Sequence, residues 1–329
     1  MAGGLGTGAP GQGGGGHYGA IPPGSYCWPM RFSLWPHASQ PWAEIVDLAR
    51  HAERQGWDGV WVADHFMPNN EDNSGPYNEC WSVLAGLAAS VPRLRIGSLV
   101  SGNTYRYPAV LAKMAATVDH ISGGRLVLGL GAGWQEAEHR AYGIPFPSVG
   151  ERLARLEEAC QVLRSLLDED RSDFDGRYYQ LRHAPLEPKP VQARLPLLIG
   201  GGGEKVTMRI AARYADEWNV WGTPETLGHK VSVLDSHCAE VGRDPGRVRR
   251  LAQAVVHMGD DPAQLAAARQ EPQPFPTIVG TPEEVREQMA GYAAVGVDEF
   301  ILPDWNLGPP AEKRRALERF WEEVAEPLH

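Results

Sequence analysis

A chain of 329 residues is long for one average domain but ordinary for a single closed α/β barrel. Its formal net charge of -10 excludes nucleic acid and anionic membrane as partners, since both need a basic face, and leaves a small molecule. Four cysteines, Cys27, Cys80, Cys160 and Cys238, lie far apart with no C-x-x-C or Cys/His cluster, so neither a metal site nor a disulfide framework is expected and they read as reduced cytoplasmic thiols.

Residues 1–28 are rich in glycine and have neither the basic start nor the apolar core of a signal peptide. They read as a disordered tail ahead of one domain, 29–329. No apolar run reaches the roughly 20 residues that a membrane helix needs, so the chain reads as soluble. From Met30 onward strand and helix alternate. Arg31–Trp35 is a short strand, and Pro41 opens an amphipathic helix with Ile45, Leu48 and Ala49 on one face, ending before Gly56. The second strand covers 59–63 and the next helix 76–90; a third strand, 94–100, leads to a helix from Pro108.

The fourth strand lies within 122–134, an apolar run bounded by glycines, as expected of a strand buried on both faces of a parallel sheet. Gly129, Gly131 and Gly133 recur at alternate positions. Close packing of strand on helix would ask for this, and so would a flat or anionic ligand laid against bare backbone. Three glycines followed at once by Trp134, Gln135 and Glu136 favour the ligand. A long helix, 150–168, carries Leu153, Leu156, Ala159 and Leu163 at helical spacing. Residues 171–194 read as a hairpin and Pro-rich loop inserted before strand five, 195–199. Strands six, seven and eight follow at 217–221, 251–258 and 299–302, with a helix opened by Thr281-Pro282-Glu283-Glu284, where Thr281 is a good N-cap. Eight such alternations predict a TIM (β/α)8 barrel rather than an open sheet.

In that barrel the residues leaving the C-terminal ends of the strands form the site. They are Asp64, His65 and Phe66 after strand two, the segment from Ser98 through Leu99 and Val100 to Asn103 after strand three, and Ala132, Gly133 and Trp134 after strand four. After strand five come Gly200, Gly201, Gly202 and Gly203, then Glu204, Lys205 and a helix, a sequence suited to cradling a phosphate. An imidazole changes charge near neutral pH, so His65 is the candidate proton donor or acceptor, with Asp64 to orient it or to bind a ligand. A loop-capping Asp64 and a rim histidine fit the residues equally well. Trp35, Trp134, Trp221 and Trp305 all follow strands, which either an aromatic-lined substrate space or simple core closure would explain.

Trp61-Val62-Ala63-Asp64-His65-Phe66, Thr104-Tyr105-Arg106-Tyr107-Pro108, Ile121-Ser122-Gly123-Gly124-Arg125, Gly129-Leu130-Gly131-Ala132-Gly133-Trp134, Glu138-His139-Arg140-Ala141-Tyr142-Gly143 and Gly200-Gly201-Gly202-Gly203-Glu204-Lys205 carry a family likeness. From Arg31 to its end the chain resembles the bacterial luciferase-like superfamily, and within it the actinobacterial branch dependent on the deazaflavin coenzyme F420. The resemblance implies a flavin-like ring over the C-terminal mouth, Asp64 and His65 beside it, Ser98, Leu99 and Val100 behind it, and Gly200 to Gly203 on the phosphate. Asn103, Ala132, Gly133, Trp134 and Glu204 complete the expected binding set, and His139 and Tyr142 match positions near the phosphate in some flavin-using relatives. A non-proline cis peptide is implied at Ser98–Leu99, to within one position. Arg106, Lys205 and Arg209 are candidates for holding the coenzyme's acidic tail.

The activity so implied is an oxidoreductase that moves a hydride between the coenzyme and an unidentified small organic substrate. The alternatives are an FMN-dependent two-component monooxygenase fed by a reductase partner, and a non-catalytic flavin-binding protein. A homodimer is the expected assembly. The chain also departs from the family's sugar-phosphate dehydrogenases, with Trp134 in place of a glutamate, Asn69 in place of a tryptophan, and no cationic match near Thr223 and Pro224. Oxidation of glucose 6-phosphate is therefore not expected.

Overall fold

Eight parallel strands close on themselves in the computed structural model, which describes residues 30–70 and 72–329; the tail expected over 1–28 lies outside the described residues. The strands are β1 (Arg31–Trp35), β2 (Gly59–Val62), β3 (Arg95–Ser98), β4 (Leu126–Gly131), β5 (Leu197–Gly200), β6 (Glu217–Trp221), β7 (Arg249–Gln253) and β8 (Glu299–Pro303). Each pairs with the next, and β8 returns to β1 in a register running from Arg31 opposite Glu299 to Trp35 opposite Pro303. A two-residue segment, Ser101–Gly102, extends the line of β3 along the end of β4. The architecture is the TIM barrel read from the sequence, and the hairpin inserted before β5 pairs Ser172–Asp175 with Gln180–Ala184.

The helices start and stop where side chains settle their unpaired backbone groups. Helix α1 (Trp42–Gln55) follows Pro41 and ends at Gly56, whose φ of 105° suits a residue without a Cβ. Helix α2 (Cys80–Ser90) begins later than the expected 76, because the Glu79 carboxylate accepts the N–H groups of Trp81 and Ser82 at 3.1 and 2.7 Å and fixes the first turn there. Then come α3 (Pro108–Ser122), a short α4 (Glu136–Tyr142), α5 (Val149–Asp168), α6 (Thr207–Tyr214), α7 (Pro224–Glu240), α8 (Pro262–Gln270), α9 (Pro282–Ala294) and α10 (Pro310–Phe320). Thr281 and Glu284 form a reciprocal cap on α9. Among the described residues no helix is long and apolar enough to cross a membrane.

Two apolar layers result. One lies between strands and helices; the other fills the barrel with Trp61, Leu99, Val127, Leu198, Leu251 and Ile301. At the N-terminal floor Arg95 bridges Glu217 at 2.5 Å and Glu299 at 2.7 Å, and Trp61 and Ser33 donate to the same Glu299. A packed, charge-sealed floor leaves the opposite mouth for chemistry.

Two expectations are corrected and a third is borne out within its stated margin. Strand seven, read as 251–258, divides: β7 ends at Gln253, and Val255–Met258 pairs with Thr277–Gly280 in a separate two-stranded parallel sheet. A run so rich in apolar residues, with no glycine or proline inside it, gives no sign of where a strand leaves the barrel. The non-proline cis peptide falls at Leu99–Val100, one bond after Ser98–Leu99 and within the one-position margin given for it. The glycines of β4 serve packing instead of a ligand: a side chain at Gly129 would run into the Ser98 carbonyl, and one at Gly131 would meet Val100 at 2.8 Å. Gly200 on β5 likewise leaves room for Val100, 2.7 Å from where its Cβ would lie. These positions are stripped of side chains to admit the bulge after β3.

Candidate active site

The loop leaving β2 carries Asp64 and His65 to the C-terminal mouth, where the two side chains part. Asp64 is buried and accepts two bonds from Arg106, at 2.6 and 3.0 Å, with a third from the N–H of Gly102 at 3.2 Å. Burial pushes its carboxyl above the ordinary value, while the Arg106 guanidinium and the Gly102 N–H pull the other way. Arg106 also reaches Glu79 at 2.5 Å, tying the loops after β2 and β3 to the start of α2. Two carboxylates therefore occupy the cation that had been assigned to a coenzyme's tail.

His65 turns instead to Glu138. Its Nδ1 lies 3.1 Å from one carboxylate oxygen, while the other oxygen accepts the N–H groups of Phe66 at 2.6 Å and Met67 at 3.2 Å. The Tyr105 hydroxyl donates to Glu138 as well. Burial opposes the charge on Glu138, but the bonds from His65, Tyr105 and the Phe66 N–H outweigh it and hold the carboxyl below its ordinary range. Glu138 is not among the residues that the sequence singles out, although it lies in one of the stretches that carry the family likeness. The available signal was a Glu-His pair on a short helix beside the glycine-rich turn; the 73 residues separating it from His65 hid the contact.

The remaining residues of the expected set scatter by role. Ser98 is buried and exchanges hydrogen bonds with Gly129 through its hydroxyl, Leu99 belongs to the barrel interior, and Val100 packs at its edge. Asn103 is buried, with its Nδ2 on the Tyr179 hydroxyl at 3.2 Å and its Oδ1 unpaired. Gly133 has a φ of 80° and lies against Thr104, and Ala132 is half-buried beside it. His139 is buried with both ring nitrogens engaged, Nδ1 by the Gln135 carbonyl at 2.8 Å and Nε2 by Thr104 at 2.7 Å, so it keeps no nitrogen for a ligand. Tyr142 is exposed and covers Phe66 at 5.4 Å. Trp134 is 60% exposed and meets the His65 ring edge-on at 5.3 Å.

Across the mouth, the glycines after β5 form an open loop. Gly201 has a φ of 123°, its N–H bonds the Asn219 carbonyl and its own carbonyl accepts from Trp218. The N–H groups of Gly202 and Gly203 donate to no acceptor among the described residues. Lys230 of α7 braces the loop through the Gly202 carbonyl at 2.9 Å and Glu204 at 2.6 Å, which leaves Glu204 as a strut and Lys205 exposed beside it. Arg209 lies on α6 with a buried, unpaired Nε.

The profile of the luciferase-like monooxygenase family matches residues 23–275. Among curated proteins the chain is 34% identical over 229 residues to the F420-dependent glucose-6-phosphate dehydrogenase of Kineococcus radiotolerans, covering 67% of this chain and 66% of that one. The protein of the same name from Amycolatopsis mediterranei is 37% identical over 175 residues, with 53% and 51% covered, so the chain spans about half to two-thirds of the length of these relatives. The one from Mycolicibacterium gilvum is 28% identical over 317 residues and is covered to 91%, against 84% of this chain. Solved structures of similar fold include a coenzyme F420-dependent tetrahydromethanopterin reductase from Methanopyrus kandleri, with TM-score 0.77 and 20% identity over 91% of this chain and 99% of that one. An F420-dependent secondary alcohol dehydrogenase in complex with an F420–acetone adduct has TM-score 0.73 and 22% identity over 84% and 93%. At those identities the two structures speak for the fold alone.

Proposed function

Because the chain belongs to the luciferase-like monooxygenase family, we propose that it is a coenzyme F420-dependent oxidoreductase that moves a hydride between the deazaflavin and a small organic substrate. The observation that carries this reading is His65, held at the mouth by Glu138 with Trp134 against it, in a chain whose curated relatives are F420-dependent dehydrogenases. When bound, the coenzyme supplies hydride chemistry; binding, orientation and the proton fall to the protein.

The residues present fit that group. Glu138 is ionised, so the proton on the His65 ring sits on Nδ1 and Nε2 is left to take a proton from a substrate hydroxyl or return one to a carbonyl. The unpaired N–H groups of Gly202 and Gly203, with Lys205 alongside, suit the coenzyme's phosphate. Asp64 shapes the loop through Arg106 and leaves proton transfer to its neighbour.

The finer points follow from the same reading. Cys80, Cys160 and Cys238 are free thiols, as a reducing cytoplasm would keep them. Tyr107 and Val110 at the start of α3 and Ile121 near its end are exposed apolar side chains, which supports a homodimer. Another enzyme has to restore the coenzyme after each turnover, by oxidising it where the substrate is oxidised and by reducing it where the substrate is reduced; a reductase partner fits only the second case.

Equilibrium binding of the purified protein to F420 and to FMN tests the proposal. F420 is expected to bind more tightly. Tight FMN binding with oxygen uptake in the presence of a flavin reductase would overturn it in favour of the monooxygenase.

A further inference from the structure

Two strands of the barrel end in tryptophan and a third is followed by one. Trp35 closes β1, Trp221 closes β6, and Trp305 follows β8 by two residues. Their rings touch: Trp35 and Trp305 meet edge to face at 5.0 Å, Trp35 and Trp221 lie 5.7 Å apart, and Trp221 and Trp305 6.0 Å apart. Phe275, arriving from the segment before the Thr277–Gly280 strand, stacks on Trp221 at 4.8 Å and 23° and is 42% exposed. The three tryptophans are half-buried rather than sealed into the core. From this wall the rings continue without a break through His37, 6.0 Å from Trp305, and Tyr77, 5.7 Å from His37, to His65 at 6.2 Å and Trp134. Thus the proton-handling imidazole stands at one end of a row of rings and an open aromatic face stands at the other.

Charge along this row is cancelled. Asp304, buried at the foot of Trp305, takes the His37 N–H at 2.8 Å, Gln40 at 2.8 Å and the buried Lys313 at 2.9 Å. Burial pushes the His37 imidazole down, against Asp304, towards the neutral form, and burial raises the Tyr77 phenol, which stays protonated. Lys230 is committed to Glu204 and the Gly202 carbonyl. A phosphorylated sugar would have to be desolvated here beside lysines already paired with Asp304 and Glu204, whereas a neutral ring would gain contact with four aromatic side chains.

We propose that the substrate is an uncharged, ring-bearing alcohol or ketone whose flat apolar part lies on the Trp35–Trp221–Trp305–Phe275 wall. The inference rests on the oxidoreductase reading above for its reaction. The carbinol carbon gives up its hydrogen as a hydride to the coenzyme's ring and its hydroxyl proton to Nε2 of His65, leaving a carbonyl; the substrate is oxidised and the coenzyme reduced by the same two electrons.

Isothermal titration of the full chain with 2-acetonaphthone, without coenzyme, tests the wall directly, and F420 bleaching with 1-(2-naphthyl)ethanol or glucose 6-phosphate tests turnover. The naphthyl ketone should bind, and Phe275→Ala and Trp221→Ala should each weaken it by about tenfold, the scale of one lost aromatic contact with its buried area. F420 affinity should not change in either variant, and the naphthyl alcohol should be oxidised in preference to glucose 6-phosphate. Equal ketone affinity in the parent and in the exposed-site variant Phe275→Ala, or preferential oxidation of glucose 6-phosphate, would overturn the inference. Failure of F420 to bind would sink the oxidoreductase reading, and the coenzyme-free titration would still decide whether the wall receives neutral rings.

Discussion

Glu138 holds His65 with one carboxylate oxygen and, with the other, the backbone of the two residues that follow it. A single buried carboxylate thus fixes both the imidazole and the chain that carries it. Glu138→Gln keeps the shape but removes the charge, and the amide then offers its NH2 to groups that are themselves donors. We expect the variant to fold and to bind F420 as the parent does, with kcat lowered by roughly tenfold to a hundredfold, because the tautomer that leaves Nε2 free is no longer imposed. Steady-state kinetics at saturating coenzyme would show it, and an unchanged kcat would make Glu138 a loop anchor only.

The same carboxylate gives a pH signature. Its folded-state value is depressed, so the unfolded chain takes up a proton first as the solution is acidified. The stability that Glu138 contributes is therefore complete above the ordinary glutamate value of about 4.3 and is lost as pH falls through the lower, folded-state value. Melting temperatures of the parent and Glu138→Gln should differ most at neutral pH and converge in acid below pH 4. A gap that widened on acidification would contradict an ionised Glu138.

Asp64 and Arg106 form a buried pair, and removing the charge from one partner strands the other. Asp64→Asn should cost about 3 kcal/mol, the lower part of the range for breaking such a pair, since Glu79 still meets the guanidinium. Urea unfolding midpoints of the two proteins would measure it. A loss below about 0.5 kcal/mol, typical of a surface substitution, would mean that Asp64 sits in a more solvated place than the structure gives it.

The barrel was legible because most strands are short apolar runs closed by a glycine, a proline or a charge; Glu217–Trp221 begins and ends in the sequence where it does in the structure. His65 was legible as the residue just past a strand. Its partner was not, since nothing in a linear reading brings residue 138 to residue 65. Gly129 and Gly131 misled for a physical reason: a missing side chain looks the same whether the space belongs to a ligand or, as here, to the Ser98 carbonyl and Val100. His139 is the opposite case, a polar residue at a matched position whose two nitrogens already have partners inside the fold.

The glycine loop after β5 offers a cleaner test at Gly203 than at Gly202. A side chain at Gly202 would press on Val220 at 2.9 Å and disturb packing as well as any ligand. At the exposed Gly203 the nearest atom is the Thr207 hydroxyl, at 2.9 Å, and the backbone is not in the left-handed region. Gly203→Val should reduce F420 affinity by about tenfold or more, by crowding N–H groups that face the phosphate, while the melting temperature moves little. Equal affinity in a folded variant would assign the glycines to loop closure alone.

His65 itself separates chemistry from architecture. Its side chain is 19% exposed, and it contributes to the fold one bond, to a Glu138 that keeps three others from Tyr105, Phe66 and Met67. His65→Ala should therefore leave stability within about 1 kcal/mol of the parent, the net worth of a typical hydrogen bond. Turnover should fall by roughly a hundredfold or more, the usual contribution of a positioned acid or base, with F420 affinity little changed. An external imidazole in the assay should restore part of the lost rate by filling the vacated space between Trp134 and Glu138. Full activity without it would move the proton transfer to another group at the mouth, and loss of folding would show that the ring, not its proton, is what the loop requires.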